Sequence, residues 1–203
     1  MILDKAIAPQ WVKTRLRQCL HAGVYPDYPG QGTSQAGVIS PLLANIALNG
    51  IETIHPSVRY ADDMVFILKP NDNAEQILKT VTTFLSERGM SISQQKTKLS
   101  ATQNGFDFLG WHFKVRPNGK FLCTPSKKNY TNVKKKIKAV VNNSTYGAET
   151  KSNLLGPIVR GWRNYHKYCD MKKYNLWHTN HSTWKKFIKQ PSMNRKKANE
   201  LIW

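Results

Sequence analysis

The chain has few cysteines and no long apolar run. Its three cysteines, Cys19, Cys123 and Cys169, lie far apart, and no two of them form a C-x-x-C pair. This spacing argues against a cysteine zinc site and a disulfide framework, and it is typical of a reducing compartment. No apolar stretch reaches the roughly 18 residues that a membrane span requires, and the first residues do not resemble a signal peptide. We therefore expect a soluble protein that is not secreted and does not contact a membrane.

Acidic residues are scarce in the second half of the chain. Residues 111–203 contain 21 Lys and Arg against 3 Asp and Glu, whereas residues 1–110 contain 10 against 9, so the second half carries nearly all of the net charge of +19. Such a surplus predicts a surface that binds a polyanion. Nucleic acid is the expected partner, because phosphate neutralisation supplies affinity without sequence readout. The 203 residues are enough for one or two domains.

Two adjacent carboxylates, Asp62 and Asp63, stand between two short apolar runs. The runs 58–61 and 64–68 predict β-strands, which places both aspartates at the tight turn of a hairpin. Two like charges side by side repel each other, and the natural countercharge for hard oxygen ligands is Mg²⁺. The alternative is that Asp is simply a favourable turn residue.

A small, polar segment over residues 30–39 precedes a predicted helix over residues 41–52. Ser40 is the expected N-cap and Pro41 the first helical residue. The unpaired N–H groups and the dipole of such a helix N-terminus favour an anion such as a phosphate. Taken alone, the segment is more simply a capped helix after a loop.

Apolar residues at helical spacing predict further helices. One covers residues 11–22. A second begins after Asn73, which forms a capping box with Gln76, and ends at Gly89. Its predicted apolar stripe comprises Ile77, Leu78, Val81, Phe84 and Leu85. A third is capped by Ser126 and carries Val133, Ile137 and Val140 on its apolar side, before residues 143–147 break it.

Four motifs follow one another within about a hundred residues: the loop and helix of residues 30–49, the hairpin of residues 58–68, Ser-x-x-Lys-Thr at residues 93–97, and Gly105–Phe113. This ordered set resembles the reverse transcriptases encoded by group II introns, and residues 154–166 resemble the maturase or thumb signature of the same family. The resemblance implies an α+β fold. A partial right-hand polymerase palm, a short antiparallel sheet with packed helices, is followed by an α-helical thumb/maturase domain.

The resemblance also implies roles for individual residues. Asp62 and Asp63 correspond to the family's catalytic Tyr-Ala-Asp-Asp motif and its metal ligands, and Lys96 to a general acid toward pyrophosphate. The alternative for Lys96 is an ordinary exposed lysine. Tyr60 and Ala61 correspond to residues that flank the primer end. Gln35 corresponds to the glutamine near the incoming nucleotide, although the family's usual Pro-Gln-Gly is Ser34-Gln35-Ala36 in this chain.

Other residues correspond to nucleic-acid contacts of the family. The primer grip falls on Phe108, Leu109 and Gly110, in a strand pair where Phe106 and Phe108 alternate with Leu109 and Trp111 across two faces. Basic and aromatic residues that interleave within residues 154–166 favour RNA binding. The RNA-binding candidates are Lys134, Lys135, Lys138, Arg160, Arg163 and Lys167. Trp162 is expected in the core, while Tyr165 and Tyr168 fit either a helix core or base stacking. The basic residues at positions 185–197 are candidates for ordering only on RNA.

The implied domain organisation is a partial reverse transcriptase palm over residues 1–113, a connector over residues 114–126, and a basic helical thumb/maturase (X) domain over residues 127–203. The family's third catalytic carboxylate lies well upstream of the loop glutamine. Asp4 and Asp27 are the upstream candidates in this chain, and neither has the family's surroundings. We therefore expect an N-terminally truncated reverse transcriptase, and the cysteine spacing argues against the family's zinc-dependent endonuclease domain.

The expected function is RNA-directed DNA synthesis together with intron RNA binding and splicing assistance. Its expected partners are group II intron RNA, an RNA template with a DNA primer, and deoxynucleoside triphosphates, with Mg²⁺ as cofactor. The alternative is a catalytically inactive maturase remnant that acts only as a splicing cofactor. A basic RNA-binding protein unrelated to polymerases explains the charge but not the ordered motifs. The expected compartment is a bacterial cytoplasm or an organelle matrix or stroma.

Overall fold

A computed structural model describes residues 8–24, 28–29, 40–174, 176–189 and 193–201 of the chain. The chain divides into two compact units, residues 1–99 and residues 100–203, called here the N-terminal unit and the C-terminal unit. Both units combine helices with short antiparallel sheets, so the α+β class is confirmed. In the part of the chain that the structure describes, every helix is too short or too polar to cross a membrane.

The N-terminal unit contains three α-helices, one 3₁₀ helix and two pairs of strands among its described residues. Its elements are α1 Gln10–Ala22, β1 Gly23–Val24, β2 Tyr28–Pro29, α2 Ser40–Leu48, a 3₁₀ helix Ile51–Thr53, β3 Ser57–Tyr60, β4 Asp63–Phe66 and α3 Ala74–Ser86. β1 pairs with β2 and β3 with β4, both antiparallel. The predicted helix over residues 11–22 is confirmed as α1.

The predicted helix over residues 41–52 is too long. α2 ends at Leu48, because Gly50 adopts a left-handed conformation with φ of +93°, which an α-helix cannot continue through. The chain resumes as a 3₁₀ helix at Ile51, whose side chain is fully buried. The change of direction at Gly50 places the side chain of Ile51 in the same small core as Leu48, Val81 and Leu85.

The predicted cap of α3 is confirmed. The side-chain oxygen of Asn73 accepts hydrogen bonds from the backbone N–H groups of Glu75 and Gln76. Gly89, with φ of +71°, closes the helix, and the N–H of Met90 donates to the carbonyl of Leu85. The predicted apolar stripe is correct except for Leu78, which is 46% exposed because it lies at the edge of the face that packs on the core.

The C-terminal unit begins with a three-stranded antiparallel sheet and continues as helices. Its elements are β5 Phe106–Phe108, β6 Trp111–Val115, β7 Phe121–Pro125, α4 Lys127–Asn142, α5 Ala148–Tyr165, α6 Trp177–Phe187 and α7 Arg195–Leu201. The strands pair in chain order. The segment 114–126, expected as a connector, therefore contains the end of β6 and all of β7. The turn between them places Gly119 at φ of +75°.

The core of the C-terminal unit lies between its helices. It consists of Val133, Ile137, Val141, Ala148, Leu155, Val159, Trp162, Leu176, Phe187 and Ala198. Ser126 caps α4 as predicted, by accepting a hydrogen bond from the N–H of Asn129. The predicted break at residues 143–147 is confirmed between α4 and α5. Trp162 is in the core as expected, at 8% exposure.

The basic residues near the C-terminus belong to helices. Lys185 and Lys186 lie in α6, and Arg195, Lys196 and Lys197 lie in α7. Each helix is held by a fully buried side chain, Phe187 in α6 and Ala198 in α7. The described residues of this segment thus have a core of their own chain to pack against, and its ordering only on RNA stays a prediction.

Candidate nucleic-acid and metal-binding sites

The two adjacent aspartates lie at the tip of the β3–β4 hairpin, as predicted, with one adjustment. Tyr60 pairs with Asp63, so the two turn residues are Ala61 and Asp62, and Asp63 is already the first residue of β4. Ala61 has φ of +54°, which is uncommon for a residue other than glycine. Both carboxylate side chains are exposed.

The hairpin has one buried face and one open face. Residues that pair directly across two strands share a face. Arg59 pairs with Met64 on the face whose apolar side chains pack toward the core. Tyr60 pairs with Asp63 on the opposite face, where Tyr60 is 66% exposed. The phenol ring and the second carboxylate therefore lie side by side in solvent.

Arg59 holds the turn of the β3–β4 hairpin through hydrogen bonds on its buried face. Its Nε donates to a carboxylate oxygen of Glu52 at 2.5 Å, and its Nη1 donates to Asn45 Oδ1 at 3.0 Å and to the carbonyl of Ala61 at 3.4 Å. This guanidinium therefore joins α2, the 3₁₀ helix and the turn. The hydrogen bond from Arg59 also holds the pKa of Glu52 below its usual value.

The exposed carboxylates of Asp62 and Asp63 fit a magnesium ion in part. They are hard oxygen donors, and neither forms an ion pair with any described residue. Mg²⁺ commonly takes one or two protein carboxylates and completes its shell with water and substrate phosphates. Within the described residues, no three His, Cys, Asp or Glu side chains cluster as a metal site. Gln35, Asp4 and Asp27 lie outside the described residues.

Lys96 lies in a single helical turn after α3. The backbone N–H groups of Lys96 and Thr97 donate to the carbonyl of Ser93, at 3.1 and 2.9 Å, and the hydroxyl of Thr97 donates to the same oxygen. The side chain of Lys96 is exposed. Among the described contacts, none joins it to Asp62 or Asp63, so its catalytic role stays a prediction.

The predicted primer-grip strand pair is present as β5 and β6, but Leu109 is not part of a strand. Leu109 and Gly110 form a two-residue turn with φ of +50° and +81°, the left-handed pair typical of a type I′ hairpin. The expected alternation of Leu109 across the sheet faces is therefore wrong, because the chain reverses at that residue. Phe108 and Trp111 pair directly across the hairpin.

Two residues from later in the chain hold this turn. The hydroxyl of Tyr165 donates to the carbonyl of Leu109 at 2.6 Å, and the N–H of Ser126 donates to the carbonyl of Gly110 at 2.9 Å. A Cβ atom at Gly110 would lie 2.7 Å from Asn129 Nδ2. No sequence signal marked Asn129, because a polar residue in the first turn of a helix is ordinary.

Asn129, itself half-buried, forms hydrogen bonds with two buried rings. Its Oδ1 accepts hydrogen bonds from Trp162 Nε1 at 2.7 Å and from His166 Nε2 at 3.1 Å. His166 is fully buried, and burial lowers its pKa. The ring is therefore neutral near pH 7, with its proton on the nitrogen that faces the amide oxygen.

The predicted RNA-binding cations are largely exposed. Lys135, Lys138, Arg160, Arg163 and Lys167 are exposed, and Lys134 is half-buried. The ammonium of Lys134 lies 5.1 Å from the ring centre of Tyr130, and that of Lys167 lies 4.8 Å from the ring centre of Tyr168. Tyr165 and Tyr168 are 49% and 76% exposed, so neither is a core residue. Cations and aromatic rings therefore share the surface at the end of α5.

Comparisons with known proteins find similarity over most of the chain. The reverse transcriptase (RNA-dependent DNA polymerase) family matches residues 3–113, and the group II intron maturase-specific domain matches residues 130–201. Maturase-like protein 1 of Euglena gracilis is 37% identical over 173 residues, and maturase-like protein 1 of Euglena longa is 36% identical over 176 residues. These alignments cover 84% and 86% of this chain but 38% and 39% of the relatives.

A third relative is the putative COX1/OXI3 intron 2 protein of Saccharomyces cerevisiae. It is 35% identical over 108 residues, which is 51% of this chain and 13% of the yeast protein. The chain thus spans about two fifths of the length of the two Euglena relatives.

Proposed function

The chain belongs to the reverse transcriptase family and carries the maturase-specific domain of group II introns, and from this we propose that it binds group II intron RNA and assists its splicing. We further propose that its palm region takes part in RNA-directed DNA synthesis. The observation that carries both proposals is the presence, in one chain, of the Asp62–Asp63 hairpin and a strongly cationic C-terminal unit.

RNA binding is proposed for Lys134, Lys135 and Lys138 of α4, for Arg160 and Arg163 of α5, and for Lys167, which follows α5. The opposite faces of both helices are fixed in the core by Val133, Ile137, Leu155 and Val159. The cationic heads are therefore presented by a rigid scaffold, which lowers the entropy lost on binding. The exposed ring of Tyr168 lies beside Lys167 and offers a surface on which unpaired bases can stack. Lys151, at 6% exposure, is not part of this surface.

The palm is proposed to cover residues 1–113, including the primer grip at residues 108–110, and the thumb/maturase domain is proposed to cover residues 127–203. Asp62 and Asp63 are the proposed metal ligands. When bound, Mg²⁺ would activate the primer 3′-hydroxyl and neutralise charge on the triphosphate. Tyr60 and Ala61 flank the primer end, Gln35 contacts the nucleotide, and Lys96 protonates the pyrophosphate. The proposed partners are intron RNA, an RNA template with a DNA primer, and deoxynucleoside triphosphates, in a bacterial cytoplasm or an organelle matrix.

A catalytically inactive splicing cofactor is the second candidate function. It is favoured by one observation: in the described residues, the hairpin brings together two carboxylates and no further metal ligand. The two candidates differ in their response to Asp62→Asn. That substitution abolishes primer extension if the chain is a polymerase, and it leaves splicing assistance unchanged in either case.

The test of the RNA-binding proposal compares two variants with equal loss of charge. Arg160, Arg163 and Lys167 are replaced by Gln in the first variant, and the exposed Lys69, Lys79 and Lys98 of the N-terminal unit are replaced by Gln in the second. Binding of a group II intron RNA is measured by filter retention across a salt series. The slope of the logarithm of the binding constant against the logarithm of the salt concentration should be smaller in magnitude by about 3 for the first variant. Each lost phosphate contact reduces this slope by roughly one.

The control variant should keep both its affinity and its salt slope. Equal losses in the two variants would show that binding follows net charge alone, and the proposed surface would be wrong. Splicing of the same intron at limiting Mg²⁺ gives an independent readout, because a maturase should restore splicing that the RNA alone cannot complete.

A further inference from the structure

Two thiols lie in contact within the C-terminal unit, in addition to the proposed RNA and metal sites. Cys123 is in β7 and Cys169 follows the end of α5, and their sulfur atoms are 3.4 Å apart. Both are free cysteines with half-buried side chains. The N–H of Asp170 donates to the carbonyl of Cys123 at 2.8 Å, so the backbone also holds the two segments together.

A chain of hydrogen bonds leads from these sulfurs to Asn129. The indole N–H of Trp162 can only donate, so the atom of Asn129 that it contacts must be the amide oxygen. His166 Nε2 contacts the same oxygen and must therefore carry the imidazole proton. The opposite nitrogen, Nδ1, is then a bare acceptor, and it lies 3.7 Å from the sulfur of Cys169.

The direction of the remaining contacts follows from this assignment. The thiol of Cys169 donates its hydrogen to His166 Nδ1, and the thiol of Cys123 donates to the sulfur of Cys169. The thiol of Cys169, the imidazole of His166 and the amide oxygen of Asn129 thus form a series of hydrogen bonds. In such a series the amide orients the imidazole, and the imidazole can act as a base that takes the proton from sulfur.

We propose that Cys123 and Cys169 form a redox-active pair that closes to an intramolecular disulfide when a peroxide oxidises it, with His166 accepting the proton of Cys169. This inference is independent of the proposed function, because it rests only on contacts within the C-terminal unit.

The reaction has two steps. The Cys123 thiolate, its proton lost to water, attacks one oxygen of hydrogen peroxide; the O–O bond breaks, and a sulfenic acid forms on Cys123 while the released hydroxide becomes water. The sulfur of Cys169 then attacks the sulfur of Cys123, the S–S bond forms and the S–O bond breaks. The proton of Cys169 passes to His166 Nδ1 and on to the leaving hydroxide. Two thiols and one peroxide give one disulfide and two waters.

The geometry also assigns the order of the two cysteines. Burial raises the pKa of Cys169 to about 12, so this thiol keeps its proton at neutral pH until a base removes it. Among the described contacts, His166 Nδ1 faces the sulfur of Cys169 and not that of Cys123, so this base serves the thiol that attacks second. Cys123 therefore reacts with the peroxide, and Cys169 resolves the sulfenic acid. Closure shortens the sulfur separation from 3.4 Å to about 2.05 Å, which needs only a small side-chain movement.

The test uses the full chain and its single Cys→Ser variants, treated with hydrogen peroxide and analysed by non-reducing peptide mapping. The wild type and Cys19→Ser should lose the mass of two hydrogen atoms and give one cross-linked peptide that joins residues 123 and 169. Cys169→Ser should instead accumulate a sulfenic acid on Cys123 that dimedone traps, and Cys123→Ser should give little dimedone adduct.

The role of His166 is tested by the rate of disulfide closure. His166→Gln should slow closure by about 100-fold, the size of effect expected for a general base, whereas His112→Gln on the sheet should leave it unchanged. Circular dichroism checks that each variant is folded. Cross-links to Cys19, intermolecular dimers, or progression of Cys123 to sulfinic acid in the wild type would overturn the pairing. Equal closure rates in the two histidine variants would overturn the proton transfer.

Discussion

The hydroxyl of Tyr165 donates a 2.6 Å hydrogen bond to the backbone carbonyl of Leu109, 56 residues earlier in the chain. The ring of Tyr165 also packs edge-on against Trp111, with the ring centres 5.7 Å apart. One side chain at the end of α5 thus holds the turn that we propose as the primer grip. The RNA surface of the helices and the hairpin turn are therefore parts of one folded unit.

Replacement of Tyr165 by Phe should lower the free energy of unfolding of the C-terminal unit by about 1 kcal/mol, because the carbonyl of Leu109 loses its donor. Tyr168→Phe removes the same hydroxyl from a 76% exposed ring and should change stability by less than about 0.5 kcal/mol. Urea unfolding followed by tryptophan fluorescence measures both. Equal effects would mean that the Tyr165 hydroxyl contributes nothing to the fold.

Gly110→Ala and Gly119→Ala separate backbone strain from steric overlap. Both glycines have positive φ, so either substitution should cost about 1–2 kcal/mol. Only at Gly110 would the new methyl group meet a neighbour, Asn129 Nδ2 at 2.7 Å, whereas nothing lies within 4 Å at Gly119. Gly110→Ala should therefore be the more destabilising by about 1–3 kcal/mol. Urea unfolding measures the loss of stability in each variant. Similar losses of stability for Gly110→Ala and Gly119→Ala would contradict the close contact between Gly110 and Asn129.

The Arg59–Glu52 contact predicts a pH dependence of stability in the N-terminal unit. The pKa of Glu52 is lower in the folded chain than its ordinary value of 4.5, mainly through the hydrogen bond from Arg59. The unfolded chain therefore binds the proton more readily, so the stabilisation is complete above the ordinary pKa and is lost as pH falls through the folded one. Urea midpoints measured from pH 6 downward should show this loss. Glu52→Gln and Arg59→Gln should both remove it, and an unchanged pH profile in either variant would refute the assignment.

Asp62 and Asp63 should bind a divalent ion even without nucleic acid, although weakly. Mn²⁺ is a suitable probe, because its unpaired electrons broaden the NMR signals of nearby residues. Broadening should centre on residues 60–64, and the double change of Asp62 and Asp63 to Asn should raise the Mn²⁺ concentration required by at least about tenfold. Glu75→Gln, an exposed carboxylate in α3, is the matched control. Broadening that persists in the double variant would place the metal elsewhere.

Local signals in the sequence predicted the parts of the fold that local chemistry determines. Asn73 and Ser126 were identified as caps because their short polar side chains reach the free N–H groups of the next turn, and both do so in the structure. The Asp62–Asp63 hairpin was predicted from its flanking apolar runs. The errors at Asp63 and Leu109 are shifts of one residue, because the apolar pattern does not determine which two residues form a turn.

Contacts between distant residues could not be predicted in this way. Helix periodicity could not foresee that Gly50 ends α2, because isolated glycines also occur within helices. Asn129 of α4 contacts Trp162 of α5 and His166, the residue that caps α5, and these partners are separated from it by 33 and 37 positions. Likewise, the wide spacing of Cys123 and Cys169 excluded a local motif but carried no information about their contact in space.

The dense positive charge of the C-terminal unit opposes its folding and favours its binding to RNA. Mutual repulsion among these lysines and arginines favours the unfolded chain, and added salt screens that repulsion. The same salt competes with RNA for the cations. Ionic strength should therefore stabilise the folded unit while it weakens the complex, and bound RNA should replace salt as the stabilising counterion.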